Sequence, residues 1–206
     1  MTETISSISS PPQSAAPREI QLHIGGREPH PDWQILDIQP GPNVDYVGNA
    51  VDLSQFADNS IQRIYSSHVL EHFSYQGELV AVLKEWYRVL KPMGSLFISV
   101  PDLPTLCRLY LSEDLSPQER FQIMRMMFGG QVDPYDYHKV GMSWEVLSYY
   151  LGQAGFEMAY PVESFGFFQD CSRIVVRGQL ISLNVEAMKG GEEAEDSDEL
   201  DDGIPE

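Results

Sequence analysis

Short apolar runs bounded by turn residues dominate the first half of the chain. Between 77 and 90 apolar positions recur at helical spacing, and Pro92 and Gly94 end this helix before a nearly all-apolar strand at 95–100. A strand, a helix and a buried strand in this order predict an α/β protein with a mostly parallel sheet. Earlier runs that predict strands lie at 20–24, 33–38, 43–48 and 61–66.

The second half departs from this rhythm over residues 103–142, which we interpret as a helical insertion or lid. Ser116 and Glu119 form a capping box around a helix that Gly129 ends, and Ser143 caps a further helix that Gly155 ends. Strands at 156–162 and 180–187 complete the pattern. A loop between them carries three phenylalanines, and we expect this loop and the insertion to cover a substrate. They are Phe165, Phe167 and Phe168.

The connection between the first two strands is unusually short. Only residues 27–32 separate the Gly25-Gly26 pair from the second strand, and two of them are proline. A crossover helix does not fit in this length, so the first crossover is predicted to hold one helical turn or none.

Length and composition indicate one folded domain at 19–189, between a disordered leader at 1–18 and a disordered acidic tail at 190–206. The net charge is −18, and the last 16 residues carry nine acids and no base. Such a protein repels nucleic-acid phosphates, so non-specific nucleic-acid binding is not expected. The tail is interpreted as a solvated segment, with docking to a basic protein partner as the alternative.

Cys107 and Cys171 stand apart from each other and from any metal-ligand spacing, so we expect buried or idle thiols in a reducing compartment. No apolar run is long enough to span a membrane, and the first residues lack the pattern of an export signal. These observations predict a cytoplasmic protein.

Two phrases in order carry a resemblance to a known family. SSHVLEHF (66–73) follows the fourth strand, and RVLKPMG (88–94) ends the next helix. Together with the final helix and its Ala-Gly-Phe end at 154–156, they resemble class I S-adenosylmethionine-dependent methyltransferases, in particular the small type-11-like group. The resemblance implies a Rossmann-like, doubly wound sheet of seven mostly parallel strands, with the last strand antiparallel. It also implies methyl transfer from S-adenosylmethionine to an acceptor that the sequence does not identify.

The resemblance assigns cofactor contacts to four strand ends. Glycines after the first strand would approach the amino acid portion, an acid after the second would bind the ribose hydroxyls, an Asp-Leu pair would meet the adenine, and a Ser-His pair would lie near the sulfonium. Each also has a structural interpretation as a turn or strand-end residue. The residues are Gly25, Gly26, Asp37, Ile38, Asp52, Leu53, Ser67 and His68.

Three departures from the family pattern favour an alternative function. Arg27 follows the glycine pair where the family has Gly-x-Gly, Met93 replaces a turn glycine, and the first crossover helix is nearly deleted. A degenerate, non-catalytic member of this fold that acts as a binding module is therefore the rival hypothesis.

The stretch HVLEH (68–72) also matches the H-x-x-E-H pattern of inverted zinc peptidases. His68 follows a strand and is not predicted to lie within a helix, and no later segment offers an obvious third ligand. We therefore predict no metal site and treat zinc hydrolysis as a remote alternative. His138 is a weak candidate for a catalytic base, with a loop hydrogen-bonding role as the other interpretation.

Overall fold

In the computed structural model, which describes residues 19–191, seven strands form one sheet in the order β3-β2-β1-β4-β5-β9-β6. The first five strands of the chain are parallel neighbours, and β9 is antiparallel to both β5 and β6. The predicted fold class is thereby confirmed. The strands are β1 (Ile20–Ile24), β2 (Gln34–Asp37), β3 (Tyr46–Val47), β4 (Ile61–Ser67), β5 (Leu90–Pro101), β6 (Met158–Val162), β7 (Val175–Val176), β8 (Gln179–Leu180) and β9 (Ser182–Met188), with β7 and β8 forming a separate hairpin.

Four helices accompany the sheet, and the sequence signals for two of their ends are present. Ser116 and Glu119 form the reciprocal capping box, and Gly155 ends the last helix in the left-handed conformation at φ 106°. The predicted leader, and the tail from residue 192 onward, lie outside the described residues. The helices are α1 (Glu78–Val89), α2 (Leu103–Tyr110), α3 (Pro117–Phe128) and α4 (Trp144–Ala154).

Helices α1 and α4 cover one face of the sheet. Trp86 of α1 and Leu147 of α4 are fully buried in one core with Leu22, Ile64 and Leu96 of the central strands. Because successive strand residues point to opposite faces, the residues between these apolar ones face away from both helices.

The opposite face carries an aromatic cluster. Tyr65 and Phe97 of the central strands pack with Trp33 and with Phe168, which is 3% exposed. Phe165 and Phe167 of the same loop pack at the edge of this cluster. The expectation that this loop covers a substrate is wrong, because its aromatic rings lie on the sheet. The loop covers a face on which a doubly wound fold would place crossover helices.

Hydrogen bonds to the sheet hold both ends of this aromatic loop (163–172). The Tyr65 hydroxyl donates to Asp170 at 2.8 Å. The side-chain amide of Asn184 donates to the carbonyls of Glu163 and Ser172, each at 3.0 Å, and Asn184 is itself buried. These bonds satisfy polar groups that the loop brings against the sheet.

The short first crossover has no helix between β1 and β2, as its length predicted. The third strand is shorter than the predicted 43–48, because Asp45 bonds back to the backbone of Ile35 before pairing begins at Tyr46. Both cysteines are exposed and unpaired, so of the two expectations, buried thiols or idle thiols, the first is wrong. Among the described residues, no helix is long and apolar enough to cross a membrane.

The insertion at 103–142 leaves and re-enters the sheet at one point. Leu103 donates its backbone N–H to the Met142 carbonyl at 2.8 Å. Helices α2 and α3 form a small core of their own with Ile181. Residues 132–139, after α3, then pass over the sheet edge at the end of β4, where the Lys139 N–H donates to the Glu71 carbonyl.

Met93 occupies a position that suits glycine. Its φ is +62°, in the left-handed region, and its side chain is 60% exposed. A side chain with a Cβ atom is strained there, which accounts for the glycine that the related turn phrase prefers.

We expect the buried imidazole of His23, which contacts Phe168, to destabilise the protein in mild acid. Burial lowers the pKa of His23 to about 4 from its usual 6.5, so the unfolded chain binds a proton that the folded state refuses. The free energy of unfolding therefore falls as the pH drops from 6.5 towards 4. Replacing the imidazole in His23→Phe should remove roughly 2 kcal/mol of the loss between about pH 7 and pH 5.

Urea unfolding of both proteins at the two pH values checks this expectation. Other histidines contribute equally to both, so the difference isolates His23. An identical loss of stability in the two proteins would show that His23 titrates normally in the folded state.

Candidate functional site

A cavity of about 620 Å³ opens at the carboxyl ends of β1, β2 and β4. The chain winds outward from β1 to β3 and then crosses back to β4, so this is the topological switch point of the sheet. Its walls come from the turns after these strands, from residues 48–51, and from residues 132–139 of the insertion. Open α/β sheets bind ligands at such switch points, and the volume is that of a small-molecule site.

The glycine pair after β1 is built for close packing. Gly25 lies at φ +76° and donates its N–H to the Leu36 carbonyl at 2.8 Å, and an added Cβ would lie 2.5 Å from Val69. Gly26 is buried against the ring of His23. Gly25 and Arg27 line the cavity, whereas Gly26 supports the turn from behind.

Asp37 and Ile38 both line the cavity at the end of β2. One carboxylate oxygen of Asp37 accepts the Gln39 N–H at 2.7 Å, which fixes the turn that follows the strand. The structure thus places an acid at the second strand end and at the cavity.

Asp52 and Leu53 lie away from the cavity lining. The Leu53 N–H donates to Glu85 of α1 at 2.9 Å, and its side chain is fully buried in the core. Asp52 is exposed and accepts the Ser54 N–H at 3.0 Å, and hydrogen bonds from Ser54 lower the pKa of this carboxyl. Residues 49–51 line the cavity instead. Hydrogen bonds from Arg88 to the Leu53 carbonyl and from the Leu53 N–H to Glu85 hold residue 53 against α1.

Ser67 and His68 end β4 with different orientations. The Ser67 hydroxyl is buried and has no hydrogen-bond partner among the described residues, and it does not line the cavity. His68 adopts φ +55°, which turns the chain so that its side chain does line the cavity. Its Nε2 lies 2.9 Å from the Ser182 hydroxyl, and burial lowers the pKa of His68 to about 4.

His138 lies behind the cavity wall, beside the carboxylate of Glu71. The family resemblance assigns no role to Glu71 in the methyltransferase site. The Nε2 of His138 is 3.8 Å from Glu71, and its ring packs edge-on against His72. Glu71 is 1% exposed, and burial raises its pKa to about 8. The sequence signal for this pair is the HVLEH phrase, for which the insertion supplies the later histidine.

Residues 132–137 of the insertion form the outer wall of the cavity. Tyr135 and Tyr137 are about half exposed there, and Asp136 bonds to the backbone of Gly130 and Val132. Lys139 pairs with Glu78 of α1 at 3.2 Å, which joins this wall to the sheet helices. The segment thus covers one side of the opening.

The architecture and the cavity at its switch point define a class I methyltransferase fold. A family model described as "Methyltransferase domain", of the type-11 group, matches residues 33–98, from the start of β2 into β5. This match and the fold confirm the resemblance that the two sequence phrases indicate. No curated protein matches the chain significantly in sequence.

Solved structures of similar fold share little sequence with the chain. A protein described as a possible exported protein from Bordetella parapertussis has a TM-score of 0.52 and 14% identity, over 84% of this chain and 64% of that one. An S-adenosylmethionine-dependent methyltransferase from Archaeoglobus fulgidus has a TM-score of 0.52 and 17% identity, over 83% and 86%.

A third structure contains a bound ligand of the expected type. The 1,6-didemethyltoxoflavin-N1-methyltransferase of Burkholderia thailandensis, solved with bound 1,6-didemethyltoxoflavin and S-adenosylhomocysteine, has a TM-score of 0.51 and 15% identity. The similarity covers 84% of this chain and 72% of that one. At these identities the likeness establishes the fold alone. The chain spans less than two thirds of the length of the Bordetella protein.

Proposed function

We propose that this protein binds S-adenosylmethionine at the switch-point cavity and transfers its methyl group to an acceptor. The observation that carries the proposal is that Gly25, Asp37 and His68, from three adjacent strand ends, wall one cavity. Thirteen of the 23 residues that line the cavity, among them Asp37 and His68, lie in the segment that matches a methyltransferase domain. The acceptor class is open, and a reducing cytoplasm is the setting that two unpaired thiols favour.

The residues present fit the donor molecule. Gly25 brings backbone close to the cavity without a side chain, and Asp37 supplies a carboxylate for the two ribose hydroxyls. Ile38 adds an apolar surface of the kind an adenine ring packs against. The lining contains four carboxylates and two cations, a balance that suits a donor with sulfonium and ammonium charges. These are Asp37, Glu78, Asp133 and Asp136, with Arg27 and Lys139.

Arg27 compensates in part for the missing crossover helix. A helix N-terminus beneath the ligand would attract the donor's carboxylate, and this chain has no helix there. Arg27 lines the same cavity and has no ion-pair partner among the described residues. Its guanidinium is a suitable partner for that carboxylate.

The chemistry requires little from the protein beyond binding and orientation. S-adenosylmethionine supplies an activated methyl group on a sulfonium that leaves readily. The residues at 132–137 exclude water and hold an acceptor against the cavity, and orientation supplies much of the rate. His68 is neutral at neutral pH because burial lowers its pKa to about 4, so it does not repel the cationic donor.

Asp37→Asn tests the donor site most directly. Replacing the carboxylate by an amide keeps the size of the side chain and removes the charge-assisted hydrogen bonds to the ribose, so S-adenosylmethionine affinity should fall roughly 10-fold to 30-fold. Isothermal titration calorimetry with S-adenosylmethionine and S-adenosylhomocysteine measures both affinities.

Asp52→Asn is the matched control. Asp52 belongs to the Asp-Leu pair that the resemblance assigns to the adenine, but it lies outside the cavity lining. The affinity of Asp52→Asn should equal that of the unmodified protein. Absence of binding by the unmodified protein would overturn the proposal and leave the non-catalytic binding module. Equal losses in both variants would place the ribose elsewhere.

A further inference from the structure

A buried carboxylate among three histidines is the strongest unexplained feature of the molecule. Glu71 is 1% exposed, and neither of its oxygens has a hydrogen-bond partner among the described residues. Its Oε1 lies 3.5 Å from His68 Nδ1 and 3.8 Å from His138 Nε2. Ligand atoms of Glu71, His72 and His138 lie within 4.8 Å of one another. We call these four residues, His68, Glu71, His72 and His138, the Glu71 cluster.

The hydrogen bonds of His68 determine which of its nitrogens faces Glu71 with a lone pair. The Ser182 hydroxyl donates its one proton to the Cys171 carbonyl at 2.8 Å, so towards His68 it can only accept. His68 Nε2 therefore carries the ring proton, and Nδ1 is an unprotonated acceptor. This lone pair lies 3.5 Å from Glu71 Oε1 in a buried site.

The other two histidines are held in a similar way. His72 Nδ1 lies 3.2 Å from the Tyr137 carbonyl, which only accepts, so Nδ1 carries the proton and Nε2 a lone pair. Backbone carbonyls of Met126 and Met127 lie against the ring of His138. Metal-binding histidines commonly donate their second nitrogen to a carbonyl or hydroxyl in this manner.

Among the described residues, no lysine or arginine forms an ion pair with Glu71. Lys139, whose backbone N–H donates to the Glu71 carbonyl, pairs its side chain with Glu78 at 3.2 Å. Among the described residues, the groups of possible opposite charge within 4.0 Å of Glu71 are the imidazoles of His68 and His138. A buried carboxyl group whose oxygens have no hydrogen-bond partner is costly, whereas a bound cation would satisfy those oxygens and the imidazole lone pairs together.

We propose that the Glu71 cluster binds one divalent transition-metal ion through its carboxylate and imidazole nitrogens. Two tetrahedral ligand atoms, each about 2.1 Å from an ion, lie about 3.4 Å apart. Glu71 Oε1 lies at nearly this distance from His68 Nδ1 (3.5 Å) and from His138 Nε2 (3.8 Å). Imidazole nitrogens suit zinc, copper, iron or nickel, whereas magnesium, calcium and manganese prefer oxygen ligands. The insertion supplies His138, so ion binding ties residues 132–139 to the end of β4.

The site adjoins the proposed donor cavity. His68 and His72 both line that cavity, so a bound ion would lie beside the space proposed for an acceptor. If the proposed methyl transfer is correct, the ion would bind an acceptor oxygen as a Lewis acid. This use of the ion rests on the proposed function, whereas ion binding itself does not.

Cobalt titration of the tag-free, chelator-treated full chain tests the site without any methyl donor. Co²⁺ should bind as one ion per chain with the visible absorption of an imidazole-bound ion, and Zn²⁺ should displace it. Glu71→Gln and His138→Gln should each weaken binding by about 100-fold, because a lost ligand costs at least as much as a lost supporting residue. His30→Gln, which removes a histidine outside the cluster, should leave binding unchanged.

Thermal stability gives a second measurement. Without metal, Glu71→Gln should be at least as stable as the unmodified protein, because the substitution removes an unpaired buried acid. In excess Zn²⁺ the unmodified protein alone should gain stability, so that it becomes more stable than Glu71→Gln. If the metal ion instead bound only to carboxylates of the acidic tail, the Zn²⁺-dependent gain in stability would persist in Glu71→Gln.

Binding unchanged in Glu71→Gln and His138→Gln, or no cobalt spectrum at all, would overturn the metal site. In that case the cluster shares protons internally. If the unmodified protein binds cobalt but does not bind S-adenosylmethionine, the proposed function alone is overturned.

Discussion

Phe168→Ala should lower the free energy of unfolding by about 3–5 kcal/mol, the usual cost of emptying a buried aromatic site. Phe168 is 3% exposed and contacts Trp33, Tyr65 and His23 on the face away from α1 and α4. Its ring lies where the short first crossover leaves the sheet without a helix. Chemical denaturation followed by circular dichroism measures the change.

Phe121→Ala is the matched control, because Phe121 of α3 is 54% exposed and should cost less than about 1 kcal/mol. Binding of S-adenosylmethionine at low temperature separates the structural role from a lid. If the aromatic loop supports the sheet, the folded Phe168→Ala protein should retain most of its affinity. A large loss of affinity with unchanged stability would restore the interpretation as a substrate cover.

The sequence predicts most of the sheet because its signals are local. Alternating or continuous apolar runs bounded by glycine and proline mark β1, β2, β4 and β5, and the capping box marks α3. The placement of Phe165, Phe167 and Phe168 is different. A run of aromatic side chains has the same pattern whether it faces a substrate or an uncovered sheet, so only the tertiary structure distinguishes the two.

The candidate site shows the same division. Gly25, Asp37 and His68 could be predicted to lie together because each follows a strand, and parallel strands end at one edge. Asp52 and Leu53 could not be placed in this way. No strand directly precedes them, and the pairing of Leu53 with Glu85 of α1 is a contact between distant segments.

The Glu71 cluster was the least accessible to sequence reasoning. His68, Glu71 and His72 form a recognisable phrase, but its completion depends on where the insertion returns to the sheet. The backbone bond from Lys139 to the Glu71 carbonyl, at 2.7 Å, brings His138 beside the phrase. Such a return cannot be derived from periodicity, because residues 132–139 have no regular secondary structure.

Gly25→Ala should reduce S-adenosylmethionine affinity by about 30-fold or more. Two costs combine, because the residue lies at φ +76° and its new Cβ would lie 2.5 Å from Val69, which also lines the cavity. The left-handed backbone costs roughly 1 kcal/mol, and relief of the clash shifts the turn before His68. Calorimetric titration measures the affinity.

The double variant Gly25→Ala/Val69→Ala separates these costs. Removing the Val69 side chain relieves the clash, so the double variant should bind about 5-fold to 10-fold more tightly than Gly25→Ala, a difference of about 1 kcal/mol. Gly152→Ala in α4 is the control, since nothing lies within 4 Å of its added Cβ and helix propensity favours the change. Equal affinity in the single and double variants would show that the backbone angle at Gly25, and not its contact with Val69, shapes the donor site.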